Sequence, residues 1–384
     1  MIRHAAQTFK HLVLTVLLLI GGVCAVEVGL RVRRATKTAS VTSETSDILS
    51  ATTAPSRSTF LAVAPKLRFT RTEAESGRPF TLRTNSFGLR NPEVDVPRPE
   101  GTFRVLCLGD DSTFAGDLPE SFTYAKQLAE LIQPETSTRV EVLNAGCPGA
   151  CPTISALLLR HRYMTLQPDV IVIHIDPSDI GDEEALRRHI ERTAEGFPLA
   201  AMHPATAGRT NLAAQLDDEL LVVQSVRDEV KDLWSRGQTG STSGGTARNA
   251  DLHVSGDAFV SIRAALEAIQ RLAQAQSVEV IVCTAASRAA SNRSQKASAR
   301  PPEWPPQELV ALCDQLHLSL VDATPEIASE LAGASRSRKS PSLSAEAHQI
   351  YAEVLAHHLL ARFTDPAANS HTPPHRVSER TEIR

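Results

Sequence analysis

Acidic and hydroxyl side chains directly follow an apolar segment in the stretch VLCLGDDSTFAG. The β-branched and leucine-rich run predicts a buried strand, and Asp110, Asp111 and Ser112 form a polar turn that leads into a helix. A hydroxyl in such a turn can act as a nucleophile when a base activates it, and a carboxylate can attack directly. Asp179 and Asp182 follow a second apolar segment, and converging carboxylates suit Mg²⁺ or Ca²⁺. Nucleophilic catalysis and cation binding are therefore the two chemistries to consider.

The elements that must position these residues alternate between strand-like and helix-like segments. The predicted strands are FRVLCLGD, RVEVLNAG, PDVIVIHID, VEVIVCTAA and LSLVDAT. The predicted helices are YAKQLAELI, ISALLLRHRYM, FVSIRAALEAIQRLA, the segment 306–316 and LSAEAHQIYAEVLAHHLLARF. Strands that are apolar on both faces and separated by helices predict a doubly wound parallel sheet, a flavodoxin-like three-layer α/β fold. Ligands bind at the carboxyl ends of the strands in such sheets.

Composition shifts divide the chain of 384 residues into four parts, one of which contains an insertion. We predict an N-terminal transmembrane segment at 1–34, a Ser/Thr-rich linker at 35–65 and an α/β domain at 66–363. A flexible Ser/Gly-rich insertion interrupts the domain at 235–250, and a disordered tail follows at 364–384.

The apolar run HLVLTVLLLIGGVCAVEVGL predicts a single-pass membrane anchor. About nineteen residues with one charge, Glu27, are enough to span a bilayer. A cleaved signal peptide ending near Ala25 and a lipoprotein modified at Cys24 are alternatives, but Val23 fits both cleavage patterns poorly. Basic residues flank the run on both sides, so charge leaves the orientation open. We expect the domain on the periplasmic side.

The overall composition argues against two classes of protein. Aromatic residues make up 4% and the net charge is −4, so the sequence has neither the basic surface nor the stacking residues typical of nucleic-acid binding. Six cysteines are too few and too scattered for a disulfide framework. Cys147 and Cys151 could bridge locally, but buried thiols are the favoured interpretation.

Four sequence blocks in order carry a resemblance to a known family. The blocks are GDDSTFAG, LNAGCPG, PSDIGD and LSAEAHQIYAEVLA, and TNSFGLRNPE precedes them. Together they resemble the SGNH/GDSL hydrolases, in particular the membrane-anchored bacterial members, over residues 80–363. The resemblance implies a serine esterase or acyl transferase that uses no cofactor, in which a histidine and an aspartate activate the serine.

The resemblance places substitutions at all three catalytic positions. Asp111 stands at the nucleophile position, Ser342 at the histidine position and Lys339 at the aspartate position. An anion at position 111 would occupy the N–H donors meant for the developing oxyanion and would repel its charge. The sequence therefore predicts impaired ester hydrolysis.

The oxyanion-binding residues are better preserved. The resemblance places Gly146 at the glycine that donates its N–H, with Asn144 in the same block. Ser178 stands at the block-three asparagine, so it keeps a donor but has a shorter reach. The implied oxyanion hole is weakened but present.

Three residues could rescue catalysis. Ser112 could serve as the nucleophile, although a hydroxyl that caps the following helix is the favoured interpretation. His348 could serve as the base, but it lies about 9 Å along the helix from Ser342, so a helix histidine that is exposed or packed in the core is favoured. Asp111 could attack directly, with His174 as the nearby base.

The acidic residues have a simpler interpretation than cation binding. Asp110 and Asp179 are expected to accept hydrogen bonds from local N–H groups in their turns. We therefore predict no metal site and no cofactor.

The predicted function is a pseudo-hydrolase domain of the bacterial envelope, tethered to the membrane by its N-terminal helix. Such a domain would bind or scaffold an acylated glycan or an envelope protein. The alternative is an active esterase or acyl transferase, on ester or acylated-glycan substrates, with a rearranged site.

Overall fold

A five-stranded parallel sheet forms the centre of the part of the chain that the structure describes. The computed structural model describes residues 51–73, 76–206, 256–285, 304–330 and 343–364, and all except Thr206 fall in one compact unit. The described strands are β1 Thr53–Pro55, β2 Leu61–Val63, β3 Arg68–Thr72, β4 Pro79–Arg83, β5 Thr102–Gly109, β6 Arg139–Gly146, β7 Val170–Ile175, β8 Ile190–Arg192, β9 Pro198–Ala201, β10 Glu279–Thr284 and β11 Ser319–Asp322.

Helices connect and cover these strands. The described α-helices are α1 Asp111–Phe114, α2 Tyr124–Ile132, α3 Pro152–Leu158, α4 Ser178–Leu186, α5 Gly256–Gln274, α6 Gln307–Leu316, α7 Thr324–Glu330 and α8 Ala345–Thr364. A π-helical turn at Leu159–Tyr163 continues α3. All five predicted strands and the predicted helices are present, so the expected parallel α/β architecture is confirmed.

The strand order changes direction at β5. The order across the sheet is β11-β10-β7-β5-β6, and every pair is parallel. The chain passes from β5 to β6 on one side and then returns to add β7 on the other side of β5. The carboxyl ends of β5 and β7 therefore flank a topological switch point, where α/β sheets bind ligands.

Two apolar layers enclose the sheet because neighbouring strand residues point to opposite faces. Leu106 and Leu108 of β5 pack in the layer that α3, α5 and α6 cover. Val105 and Cys107 pack in the opposite layer, which α2, α7 and α8 cover. This burial of both strand faces explains the continuous apolar runs of the sequence.

Three antiparallel hairpins were not expected. They are the pairs β1-β2, β3-β4 and β8-β9. The first hairpin corrects the predicted linker over residues 51–65, because Leu61 and Val63 of β2 are buried in the core of the domain. Residues 35–50 of that linker lie outside the described residues. A short strand in a Ser/Thr-rich segment gives too little periodicity to be seen in the sequence.

No helix among the described residues is long and apolar enough to cross a membrane. The predicted span at 1–34 lies outside the described residues, as do the insertion at 235–250 and the tail from residue 365.

Candidate functional site

The polar turns after β5 and β7 meet at the switch point. The chain leaves β5 at Gly109 and enters α1, a helix of four residues. It leaves β7 at Ile175 and continues through Asp176 into α4. Residues 110–112 therefore lie beside residues 174–176.

Two glycines let α1 pack directly on the strand ends. A Cβ atom on Gly109, whose φ is +155°, would lie 2.2 Å from Thr113 Oγ1 and 2.9 Å from His174 Cβ. A Cβ atom on Gly146 would lie 2.2 Å from the backbone nitrogen of Phe114. Larger residues at these positions would push α1 away from the sheet.

A buried arginine holds the far end of α1. The Arg90 guanidinium donates to the carbonyl of Phe114 at 2.7 Å and also to the carbonyls of Ala115 and Leu118. Burial is the main cause that lowers the pKa of Arg90 to about 10. Arg90, which belongs to the segment TNSFGLRNPE, therefore holds the loop that follows the candidate site.

Asp110 caps α1. Its carboxylate accepts a hydrogen bond of 2.8 Å from the N–H of Ser112, and only 6% of the residue is exposed. The expectation that Asp110 binds a local N–H is confirmed. The expectation that the Ser112 hydroxyl caps the helix is wrong, because Asp110 supplies the capping oxygen.

Asp111, at the predicted nucleophile position, is only partly buried. Its Oδ2 accepts a hydrogen bond of 3.3 Å from the N–H of Gly149. The carboxyl group of Asp111 therefore already engages a backbone donor.

Ser112 points into the site. It is 4% exposed, and its Oγ donates to Asp176 Oδ2 at 3.3 Å. The hydroxyl therefore contacts Asp176 and does not cap α1. The register of the short helix places residue 112, one position after Asp111, against the end of β7.

The glycine expected to donate to an oxyanion is engaged elsewhere. The Gly146 N–H donates to Asn144 Oδ1 at 3.1 Å, and Asn144 Nδ2 donates to the carbonyl of Thr113 at 2.8 Å. These two residues therefore hold α1 in place. Gly149, three residues further on, is the block-two glycine whose N–H reaches the nucleophile position.

The predicted third oxyanion donor, Ser178, faces Asp176. Its N–H and its Oγ donate to Asp176 Oδ1 at 2.7 and 2.5 Å. Asp179 Oδ2 accepts the N–H of Asp176 at 2.7 Å, so the expected local hydrogen bond of Asp179 is confirmed. Both Ser178 donors are thus engaged in holding one carboxylate.

His174 lies beside that same carboxylate at the end of β7. Its Nδ1 is 2.7 Å from the hydroxyl oxygen of Tyr351 in α8, and its Nε2 is 3.9 Å from Asp176 Oδ2. The second distance is too long for a hydrogen bond. His174 is 2% exposed, and its Nε2 makes no hydrogen bond with any described residue.

Burial dominates the electrostatics of the acidic residues. Burial, followed by the negative charge of Asp176, raises the pKa of Asp110 and of Asp179 well above the ordinary value. The same two causes raise the pKa of Asp182 to about 7. Burial alone would also raise the pKa of Asp176, but His174 and Ser178 stabilise its charged form and lower the pKa. The pKa of Asp176 is therefore shifted in the opposite direction to those of its three acidic neighbours.

The four acidic residues considered as cation ligands in the sequence, Asp110, Asp111, Asp179 and Asp182, are not the group whose ligand atoms converge. Among the described residues, the grouping whose ligand atoms converge is Asp110, His174 and Asp176. The sequence correctly indicated the strand ends, but the histidine and the second carboxylate come from β7 and the residue after it.

His348 packs in the core, which confirms one of the two expected roles. Its Nδ1 accepts a hydrogen bond of 3.1 Å from the N–H of Tyr124, and its ring stacks on the Tyr124 ring with 5.8 Å between centroids. Burial is the main cause that lowers its pKa to about 3. Ser342 and Lys339 lie outside the described residues, so their roles stay predictions.

Sequence reasoning missed Asp176, Gly149 and Tyr351. Asp176 had a usable signal, since it directly follows an apolar strand at the binding edge of the sheet. Tyr351 had none, because it lies 177 positions from His174 on a helix whose apolar face also packs the core.

No family model matches the chain, and no curated protein matches it. Similar solved structures include the acetyl xylan esterase AlAXEase, with 14% identity, a TM-score of 0.40 and coverage of 67% of this chain and 100% of that one. A lipolytic protein of the G-D-S-L family from Desulfitobacterium hafniense DCB-2 has 10% identity, a TM-score of 0.35 and coverages of 66% and 98%. Another G-D-S-L protein, from Veillonella parvula DSM 2008, has 12% identity, a TM-score of 0.39 and coverages of 68% and 99%.

Two of these three proteins bear the name of the family whose motifs the sequence resembles. At these identities and TM-scores, the matches assign no role to any residue of this chain.

Proposed function

We propose that this chain carries an SGNH/GDSL-type domain that binds a ligand in the bacterial envelope and does not hydrolyse esters by the serine mechanism. The proposed ligand is an acylated glycan or an envelope protein, and the proposed tether is the apolar segment at 1–34. The acidic, partly buried site at the switch point would be the recognition surface.

The observation that supports this proposal most strongly is the hydrogen bond between Asp111 and Gly149. If an ester carbonyl were attacked beside residue 111, its oxygen would develop negative charge near the N–H of Gly149. Two unit charges about 4 Å apart repel each other by about 4 kcal/mol at the effective dielectric of a protein surface. Asp111 therefore acts against the charge that an oxyanion hole must stabilise.

The histidines of the site are also poorly placed to activate the water that would hydrolyse a covalent ester formed on Asp111. His348 accepts a backbone N–H and faces Tyr124, on the side of the sheet that α8 covers. His174 is fully buried behind Asp176 and is bonded to Tyr351. A general base must reach the proton it removes within hydrogen-bond distance.

One contact favours the alternative, an esterase or acyl transferase with a rearranged site. Ser112 Oγ donates to Asp176, and His174 lies beside the same carboxylate oxygen. A serine, a carboxylate and a histidine are thus neighbours. Their order differs from a triad, because the carboxylate and not the histidine accepts the serine hydroxyl.

Labelling with a fluorophosphonate distinguishes the two functions, because this reagent modifies only activated serines. The full chain, treated with a chelator, is labelled beside its Ser112→Ala variant and an active serine esterase. The proposal expects no label on either form of this chain. Labelling of the wild type that disappears in Ser112→Ala would establish the rearranged enzyme instead.

A further inference from the structure

We propose that Asp110, His174 and Asp176 form a binding site for a divalent transition-metal ion of the zinc class. One ligand atom from each of these buried residues lies within 4.8 Å of the other two. This inference goes beyond ligand recognition by the domain, and it departs from the expectation that the chain binds no metal.

The spacing of the three ligand atoms is close to that of a metal centre. A point equidistant from three atoms that are 4.8 Å apart lies about 2.8 Å from each of them. Zinc binds histidine nitrogen and carboxylate oxygen at about 2.0–2.2 Å. Shifts of less than about 1 Å per side chain would therefore complete the coordination.

His174 supplies the observation that points to a ligand. Its side chain is fully buried, and its Nε2 finds no hydrogen-bond partner among the described residues. A buried polar atom without a partner is unfavourable, so such atoms in native proteins call for a bound water or ion. The neighbouring oxygen of Asp176 is 3.9 Å away, a separation that a cation between the two atoms would bridge.

The other nitrogen of His174 has the partner that a metal-bound histidine needs. Nδ1 is 2.7 Å from the Tyr351 hydroxyl oxygen, which can accept a hydrogen bond from Nδ1–H. In that tautomer Nε2 carries a lone pair. Metal-bound histidines regularly donate their second N–H to such a partner, which fixes the tautomer and the ring orientation. Tyr351 is therefore a positioning residue for the proposed site.

The two carboxylates are also arranged for a cation. Asp110 and Asp176 are 6% and 7% exposed, and within the described ranges neither is paired with a lysine or an arginine. Ser112 and Ser178 donate hydrogen bonds to Asp176 and so orient it. A mixed set of imidazole and carboxylate ligands suits zinc, cobalt or manganese better than magnesium or calcium.

The test measures metal binding directly and needs no enzymatic activity. The purified full chain is stripped with a chelator, and the affinity for Zn²⁺ is measured by calorimetry. Co²⁺ is added in a parallel experiment, because its visible absorption reports the ligand set. We expect one tight Zn²⁺ ion per chain and a Co²⁺ spectrum typical of nitrogen and oxygen ligands.

Two variants and a matched control locate the ion. His174→Gln removes the nitrogen ligand, whereas Asp110→Asn removes a charge but keeps an oxygen that can cap α1. Each variant is expected to bind Zn²⁺ at least tenfold more weakly. His348→Gln alters another fully buried histidine outside the cluster, and it should leave the affinity unchanged.

Absence of Zn²⁺ and Co²⁺ binding by the wild type overturns the proposal. Binding that Asp110→Asn and His174→Gln leave unchanged also overturns it, because the ion would then lie elsewhere. If His174→Gln does not fold, the comparison of Asp110→Asn with the wild type decides alone.

Discussion

Replacing Asp182 by asparagine should stabilise the protein at neutral pH and have little effect under acidic conditions. Burial, followed by the charges of Asp176 and Asp111, raises the pKa of Asp182 from an ordinary value of 3.8 to about 7. The folded protein therefore holds the proton of Asp182 more tightly than the unfolded chain does. The contribution of this proton to stability is fully present below about pH 4 and is lost as the pH rises through about 7.

The pKa shift sets the size of the effect. Each pKa unit corresponds to about 1.4 kcal/mol, so the shift of Asp182 gives an upper bound of about 4 kcal/mol. Asparagine has no proton to lose in this range. The advantage of Asp182→Asn in free energy of unfolding should therefore grow between pH 4.5 and pH 8 toward this bound.

Urea unfolding at several pH values, followed by circular dichroism, measures the difference. A chelator in every sample prevents a bound cation from masking the repulsion. Asp314→Asn, an exposed acid on α6, is the control and should show no such growth with pH. A stability difference between Asp182→Asn and the wild type that does not change with pH would refute the reasoning.

Three further predictions concern packing, topology and repair of the site. Gly109→Ala should lower the free energy of unfolding by about 2–3 kcal/mol, because the added Cβ would overlap Thr113 and His174. Gly181→Ala is the control: its Cβ would meet nothing within 4 Å, so it should raise the free energy of unfolding by about 0.5–1 kcal/mol. Urea unfolding measures both changes. The full chain should fractionate with membranes, and a soluble mature form beginning near Ala25 would contradict the anchor. Asp111→Ser alone should give no detectable turnover of an aryl ester, because a nucleophile without its base recovers almost no catalytic activity. Turnover by this single variant would show that a base is already in place.

The sequence was sufficient to predict the central parallel sheet and its covering helices. Apolar runs such as VLCLG and VIVIHI are buried on both faces. Because helices separate these runs in the sequence, the pattern predicts a parallel sheet. The same rule located the binding edge, because carboxyl ends of parallel strands share one side of the sheet.

The orientation of individual side chains could not be read from the sequence. A helix of only four residues decides that Ser112 faces Asp176 and that Asp111 faces Gly149, and so short a helix has no periodicity to analyse. The choice between Gly146 and Gly149 as the donor likewise depends on the hydrogen bond that the Gly146 N–H donates to the Asn144 side chain. These are tertiary contacts, which local patterns do not encode.

The hydrolysis of a short-chain aryl ester tests the central claim most directly. The wild type is compared, in the presence of a chelator, with the triple variant Asp111→Ser, Ser342→His and Lys339→Asp, which rebuilds the family pattern. We predict no turnover above background by the wild type and measurable turnover by the triple variant, because nucleophile, base and orienting acid act as one unit. Turnover by the wild type that Ser112→Ala abolishes would contradict the account and show that the chain is a serine hydrolase.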